Sequence, residues 1–203
     1  MKPLNELQLD DLWQRGVFDK LLAPVLRDAA YKNQIVFLDI ANPVADMLQR
    51  RAHIDAMAQL KSGTLSIEIK LVRYPQGYGG HWSHFFLETW SCSQPGHESK
   101  GWMATSMADV LLWGQVSKDE HFVVCWPLPF NSLRAWTRQH WKDLPERRVE
   151  NRINGYALWT IGRLAPIKPL CRDLRIEAFK VNDDGLICDL FGKPILAFLQ
   201  EGK

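Results

Sequence analysis

The stretch from His53 to Arg73, HIDAMAQLKSGTLSIEIKLVR, constrains this chain more than any other. Apolar and polar residues alternate along two arms, and Ser62-Gly63 between them has turn chemistry, so the stretch reads as a β-hairpin. On the first arm Ile54, Ala56, Ala58 and Leu60 share one face, leaving His53, Asp55, Met57 and Gln59 on the other. On the second arm Leu65, Ile67, Ile69 and Leu71 oppose Thr64, Ser66, Glu68 and Lys70. With Ser62-Gly63 as a two-residue loop, Lys61 pairs with Thr64, and Asp55 falls across from Lys70 with Glu68 diagonally beside it. A slip of one residue would bury the charges and expose the isoleucines, so the pattern resists it. Two carboxylates and an ammonium are thereby expected on one face.

A chain of 203 residues can hold one well-cored domain, and 46% apolar with 24% charged residues is globular usage. No apolar run approaches the roughly 20 residues of a membrane span. The opening MKPLNELQLDDLW is acidic and lacks the continuous apolar core of a secretory signal. Cys92, Cys125, Cys171 and Cys188 are widely spread with no C-x-x-C pair, which reads as free thiols in a reducing cytoplasm. A formal charge of +2 does not by itself imply a polyanion partner, so any nucleic-acid reading must rest on local clustering.

Residues 5–15 and 17–33 carry helical spacing, the second with an apolar stripe of Phe18, Leu21, Leu22, Val25, Leu26 and Ala29 despite Pro24. Ile35–Ile40 is a short apolar run, and Val44–Arg51 is a further helix candidate. After the hairpin come a glycine- and aromatic-rich loop over 74–83 and a third strand over 84–92. In that strand Phe85 and Leu87 share one face, with Phe86, Glu88 and Trp90 on the other. A helix is expected over 106–114, then a fourth strand over 121–128. Residues 131–152 read as a basic helical segment and the tail as a β-element turning at Asn182–Gly185. The expected class is α/β, a mixed central sheet flanked by helices, in one domain spanning 1–203.

The hairpin carries D-x(12)-E-x-K. On spacing alone an E-x-K triplet means little, and Glu98-Ser99-Lys100 in a polar loop is a second copy. Glu68 and Lys70 differ in following an apolar-backed strand, with Asp55 one arm earlier. The structural alternative is a solvent-facing Asp55–Lys70 ion pair, worth little at a surface.

The order of helix, D-bearing strand, turn, E-x-K strand, third strand, helix and fourth strand resembles the core of the PD-(D/E)XK nuclease superfamily. The resemblance covers about residues 17–128, leaving 129–203 as a helical and β extension. Ile54-Asp55 stands where the family has Pro-Asp, with Ile54 replacing the proline, and Glu68-Ile69-Lys70 stands where it has (D/E)-X-K. The resemblance implies a restriction-endonuclease-like core and DNA cleavage, endo- or exonucleolytic. Members of the superfamily often add an acid from the first helix, for which Asp19 and Asp28 are candidates, and Asp46, nine residues before Asp55, is another.

The chemistry fits those residues. Phosphodiester hydrolysis needs an activated water and charge neutralisation, which Mg²⁺ or Mn²⁺ supplies when held by oxygen ligands in an open site. Asp55, Glu68 and the backbone carbonyl of Ile69 are the expected ligands, and Lys70 is expected to orient or help deprotonate the water, with its pKa lowered if the site is partly buried. Gln59 and Glu88 are auxiliary candidates. Arg134, Arg138 and Lys142 in the basic segment are expected to meet phosphates, against the alternative of a solvated helix face. His81-x-x-His84 and the loop aromatics Tyr74, Tyr78 and Trp82 are weaker signals, for metal and for base stacking respectively. The competing class is a catalytically inactive nuclease fold that binds nucleic acid or protein. Oligomeric state stays open, a homodimer included.

Overall fold

A computed structural model describes residues 6–39, 52–73, 83–93, 98–153 and 156–189. The chain begins with α1 (Glu6–Val17), a π-helical turn (Phe18–Leu22) and α2 (Ala23–Lys32). Pro24 has no N–H to give and stands in the first turn of α2. Just before it the ladder widens, with the Ala23 N–H donating to Phe18 O, five residues back. The expected stripe of Phe18, Leu21, Leu22, Val25 and Leu26 is buried and continues in Ala30, with Ala29 partly buried against the same core.

The strands are β1 (Val36–Asp39), β2 (Ala56–Leu60), β3 (Gly63–Arg73), β4 (His84–Cys92), β5 (Ser99–Lys100), β6 (Val110–Val116), β7 (Phe122–Pro129), β8 (Glu146–Ile153), β9 (Tyr156–Pro166), β10 (Phe179–Asn182) and β11 (Gly185–Asp189). The remaining helices are α3 (Trp102–Thr105), α4 (Phe130–His140) and α5 (Ile167–Leu174). They form a mixed α/β architecture with two sheets. The larger has the order β1-β2-β3-β6-β7-β10-β11, antiparallel throughout except for the parallel β3–β6 pair. The smaller has the order β5-β4-β9-β8.

Two apolar cores lie on opposite faces of the larger sheet. Ala56, Ala58, Leu65, Ile67, Ile69 and Leu71 pack with the stripe of α2 in one. Leu111, Trp113 and Leu128 meet Phe85 and Leu87 of the smaller sheet, together with Leu133 and Leu170 of α4 and α5, in the other. The alternation expected of the hairpin holds from Ala56 to Leu71, with its polar face turned toward the second core, but Ile54 leaves the face of Ala56 and Ala58 and packs in that second core. No helix among the described residues is long and apolar enough to cross a membrane. Cys92, Cys125 and Cys171 are free.

Several expectations are corrected. The hairpin turns at Lys61-Ser62, Leu60 pairs with Gly63 and Ala56 with Ile67, so the register moves by two residues. Gly63 takes φ +140°, a left-handed value that glycine accepts without strain, and so it opens β3 instead of closing the turn. A shift of two preserves the faces but sets Asp55 toward Glu68, not Lys70.

The strand over 84–92 exists but belongs to the smaller sheet, because its partner is β9. A bulge between Glu88 and Trp90 brings Trp90 onto the face of Leu87, contrary to strict alternation. Residues 106–114 are not a helix. From Val110 onward they form β6, buried at every position, and a strand covered on both faces has a continuous apolar run that periodicity cannot tell from a helix. The 131–152 segment is likewise split, with α4 ending at His140 and β8 starting at Glu146 beyond Pro145. The tail hairpin forms as expected, and β10 also pairs with β7. Asn42-Pro43, the 44–51 helix and most of the 74–83 loop lie outside the described residues.

Candidate active site

Asp55 is placed where β2 gives out. Its N–H donates to Ile67 O (2.8 Å), while its Oδ2 accepts the Ile69 N–H (2.7 Å). The carboxylate thus takes the place of a ladder carbonyl on the outer edge of β3. One step further the Leu71 N–H donates to Gln14 Oε1 of α1 (3.1 Å). The ends of β2 and of the first helix together complete the edge of β3.

The approach to Asp55 is fixed by the loop before β6. Met107 N–H donates to Ala52 O (2.8 Å), and the Ser106 hydroxyl donates to His53 O (3.4 Å). Between these contacts His53 takes φ +49°, a left-handed conformation that a residue with a Cβ adopts at a cost. Below it, Asp109 Oδ2 accepts both the N–H and the hydroxyl of Ser66 (2.8 and 2.7 Å), tying the start of β6 to β3.

Glu68 lies on the second-core face of β3, opposite Leu111 of β6, with none of its surface exposed. Lys70 Nζ is 2.9 Å and His53 Nδ1 3.8 Å from Glu68 Oε1. The Lys70 ammonium and the Ser106 hydroxyl both stand close enough to favour the charged form of Glu68, but neither is well aligned as a donor to its buried oxygens. Burial pushes the Glu68 pKa up to about 7; the nearby Asp55 charge adds to this and Lys70 opposes it. Asp55 is also raised, by burial, against the pull of Lys70 and the Ile69 N–H.

For Lys70 burial disfavours the charge, but Glu68 and Asp55 together outweigh it, and the pKa is raised. The expected lowering is therefore reversed, and Lys70 stays a charged donor near neutral pH. His53 is shifted down, by burial first and then by Lys70, which favours the neutral imidazole.

Asp55, Glu68 and Lys70 are near enough for the charge of Asp55 to act on both Glu68 and Lys70, and the side chain of Ile69 packs in the helix-facing core. Gln59 does not join them. It sits at the hairpin turn, where its amide donates to Leu60 O and Gly63 O and accepts from the Thr64 hydroxyl. Glu88 of β4 is close enough for its charge to act on both His53 and Lys70, and one of its oxygens accepts from the Ser91 hydroxyl. Asp19 and Asp28 are taken up in exposed ion pairs with Arg15 (3.2 Å) and Lys32 (2.6 Å), and Asp46 lies outside the described residues.

Arg134 is partly buried, and its side chain is engaged within the protein. Its guanidinium donates to the carbonyls of Met103 and Ser106 and lies 4.4 Å over the Phe130 ring. Arg138 and Lys142 are exposed. His84 Nδ1 engages Ser83 Oγ (2.8 Å), while His81, Tyr74, Tyr78 and Trp82 lie outside the described residues.

The sequence reading passed over His53 as a site residue, although it shares the Asp55 face two positions earlier. Its left-handed turn toward Glu68 depends on the distant Ser106 and has no local signal. No group of three or more His, Cys, Asp or Glu side chains among the described residues is arranged to hold a metal. No family model, curated protein or solved structure matches the chain.

Proposed function

We propose that this chain is a metal-dependent nuclease that hydrolyses DNA phosphodiester bonds in the cytoplasm, with Asp55, Glu68 and Lys70 as its working residues. One observation carries the reading. Glu68 is fully buried, and Lys70 and Ser106 stand close to it without a well-aligned hydrogen bond to either oxygen, although buried charges are normally both paired and hydrogen-bonded. An oxygen pair in that state, beside a second carboxylate, fits a hard cation. Asp55 and Glu68, with the Ile69 carbonyl, are the residues that would hold Mg²⁺ or Mn²⁺, an ion that keeps several waters and needs only one or two carboxylates. When bound it would supply charge neutralisation and a more acidic water.

The chain's own residues do the rest. Lys70, held protonated by two acids, presents an ammonium to a phosphate oxygen or to the attacking water. Asp55 is held in place by the Ile69 N–H, so its second oxygen keeps a fixed direction. Neutral His53 and Glu88 border the pair and act on its electrostatics.

A second reading is an inactive nuclease fold serving as a binding module. The absence of a three-ligand group among the described residues favours it. Incubation with supercoiled, linear and single-stranded DNA in Mg²⁺, Mn²⁺ or EDTA, beside Glu68→Ala, separates the two. The nuclease reading expects metal-dependent cleavage lost in Glu68→Ala, and a melting temperature raised by metal in the wild type alone. Absence of both effects would leave the binding module.

A further inference from the structure

The three most exposed tryptophans among the described residues are Trp90 (39%), Trp141 (40%) and Trp159 (42%). All three lie on, or against, one face of the smaller sheet. Lys100 pairs with Trp90, Trp90 with Ile161, and Ile161 with Arg148, so one row crosses all four strands in the order β5-β4-β9-β8. Trp159 is two residues from Ile161 and shares its face. Arg163, two residues the other way, lies 4.6 Å over the Trp141 ring.

Cross-strand pairing says which face this is. Leu87 pairs with Arg163, and Leu87 is buried in the second core. The row therefore continues the inner face of the smaller sheet, the face that packs on the side of β3 carrying Glu68 and Lys70. Trp90 reaches it only through the bulge after Glu88.

Charge is arranged to match. A cation stands at each end of the row, Lys100 at one and Arg148 at the other, both exposed. Glu146 bridges Arg148 (3.3 Å) and Arg163 (3.5 Å), holding the two guanidinium groups in place. Glu150, opposite Trp159, is the other acid of this face on β8. Flat aromatic surface interleaved with cations suits a chain of unpaired bases on a phosphate backbone. A purely apolar protein partner would not call for cations at both ends, and a duplex would keep its bases stacked inside.

We propose that this face binds single-stranded nucleic acid, with bases stacking on Trp90 and Trp159 and phosphates meeting Lys100 and Arg148, while Arg163, bound to the Leu144 carbonyl and Glu146, holds the Trp141 ring. The proposal names the substrate form for the nuclease reading and rests on it only for the link to cleavage. The platform runs from β5 to β8 and leads the strand toward the Asp55–Glu68–Lys70 side of β3.

The test is equilibrium binding of a fluorescent oligo(dT) of about 12 nucleotides, within the site size of such platforms. A duplex of equal length is the comparison, and EDTA is kept present so that nothing is cleaved. The full chain should bind the single strand more tightly than the duplex, and raised salt should weaken it. Trp90→Ala and Trp159→Ala should each weaken it about tenfold or more, the cost of one lost base stack. Trp90→Phe should keep most of the affinity, which separates loss of stacking from loss of fold, and melting curves report the fold directly. Failure of the wild type to bind the single strand, equal or tighter duplex binding, or alanine variants that fold and bind like the wild type would each overturn the proposal. Metal-dependent cleavage is scored separately. Tryptophan-dependent binding without cleavage would end the nuclease reading and keep the platform, while cleavage indifferent to both tryptophans would do the reverse.

Discussion

Lys70 Nζ sits 2.9 Å from Glu68 Oε1 and yet leaves both Glu68 oxygens without an aligned hydrogen bond. The pair is a close charge contact inside the protein, not a satisfied salt bridge. Breaking such a contact from one side differs from breaking it from the other. Removing the lysine strands a buried anion, whereas neutralising the glutamate relieves one.

Stability should therefore fall as pH rises through the Glu68 transition. An acid whose folded pKa lies above its unfolded value keeps its proton in the native state while the unfolded chain has lost it. Its folding contribution is unimpaired below about 4.5 and declines up to about 7. The full difference is roughly 3 kcal/mol. Asp55 acts in the same direction, since its pKa is also raised. Melts in EDTA at pH 5 and pH 8 should show the wild type more stable at the lower pH and Glu68→Gln with a smaller difference. A wild-type curve that is flat over that window would show that Glu68 does not carry a buried charge.

Asp55 has a backbone duty as well as a chemical one, and two substitutions divide them. Asp55→Asn retains an oxygen for the Ile69 N–H but removes the charge. Asp55→Ala removes both and leaves the donor at the strand edge unpaired, at a cost of about 1–3 kcal/mol. Denaturant titration should find the alanine variant the less stable. Both should lose any cleavage activity. Equal stability of the two would mean that water replaces the carboxylate on Ile69 at no cost.

The arginines of α4 should separate in the same manner. Arg134→Ala removes donors from the Met103 and Ser106 carbonyls and uncovers Phe130, so a loss of about 2 kcal/mol is expected. Arg134→Lys should restore little, because an ammonium cannot reproduce the two-pronged guanidinium contact. Arg138→Ala, at an exposed site, should stay within about 0.5 kcal/mol of wild type. If DNA is bound near α4, charge reversal at Arg138 and Lys142 should flatten the salt dependence of binding. Chemical denaturation and a salt titration read the two effects independently.

The sequence alone determined the parts that depend on neighbours in the chain. Alternation from Ala56 to Leu71 set which side chains of the hairpin face the helices and which carry charge, while Ile54, before the strand begins, went to the second core. A register shift of two residues left that division intact, because the side-chain repeat of a strand is itself two. The stripe over Phe18–Leu26 and the tail turn at Asn182–Gly185 were legible for the same reason.

Tertiary structure decided everything that depends on a partner far along the chain. The run Val110–Val116 is a strand because β3 and β7 flank it and both of its faces are covered. Its composition would suit a buried helix equally well. The strand over 84–92 joins the smaller sheet because β9 is there to receive it, and its bulge reverses the side on which Trp90 stands. Arg134 became a latch because the Met103 carbonyl of α3 and the Ser106 carbonyl just after it come within its reach. His53 entered the site because Ser106, 53 residues later, holds its carbonyl. Periodicity records which face of an element is apolar. It carries no record of which element will cover that face, and at this site the covering elements bury Glu68 and raise its pKa.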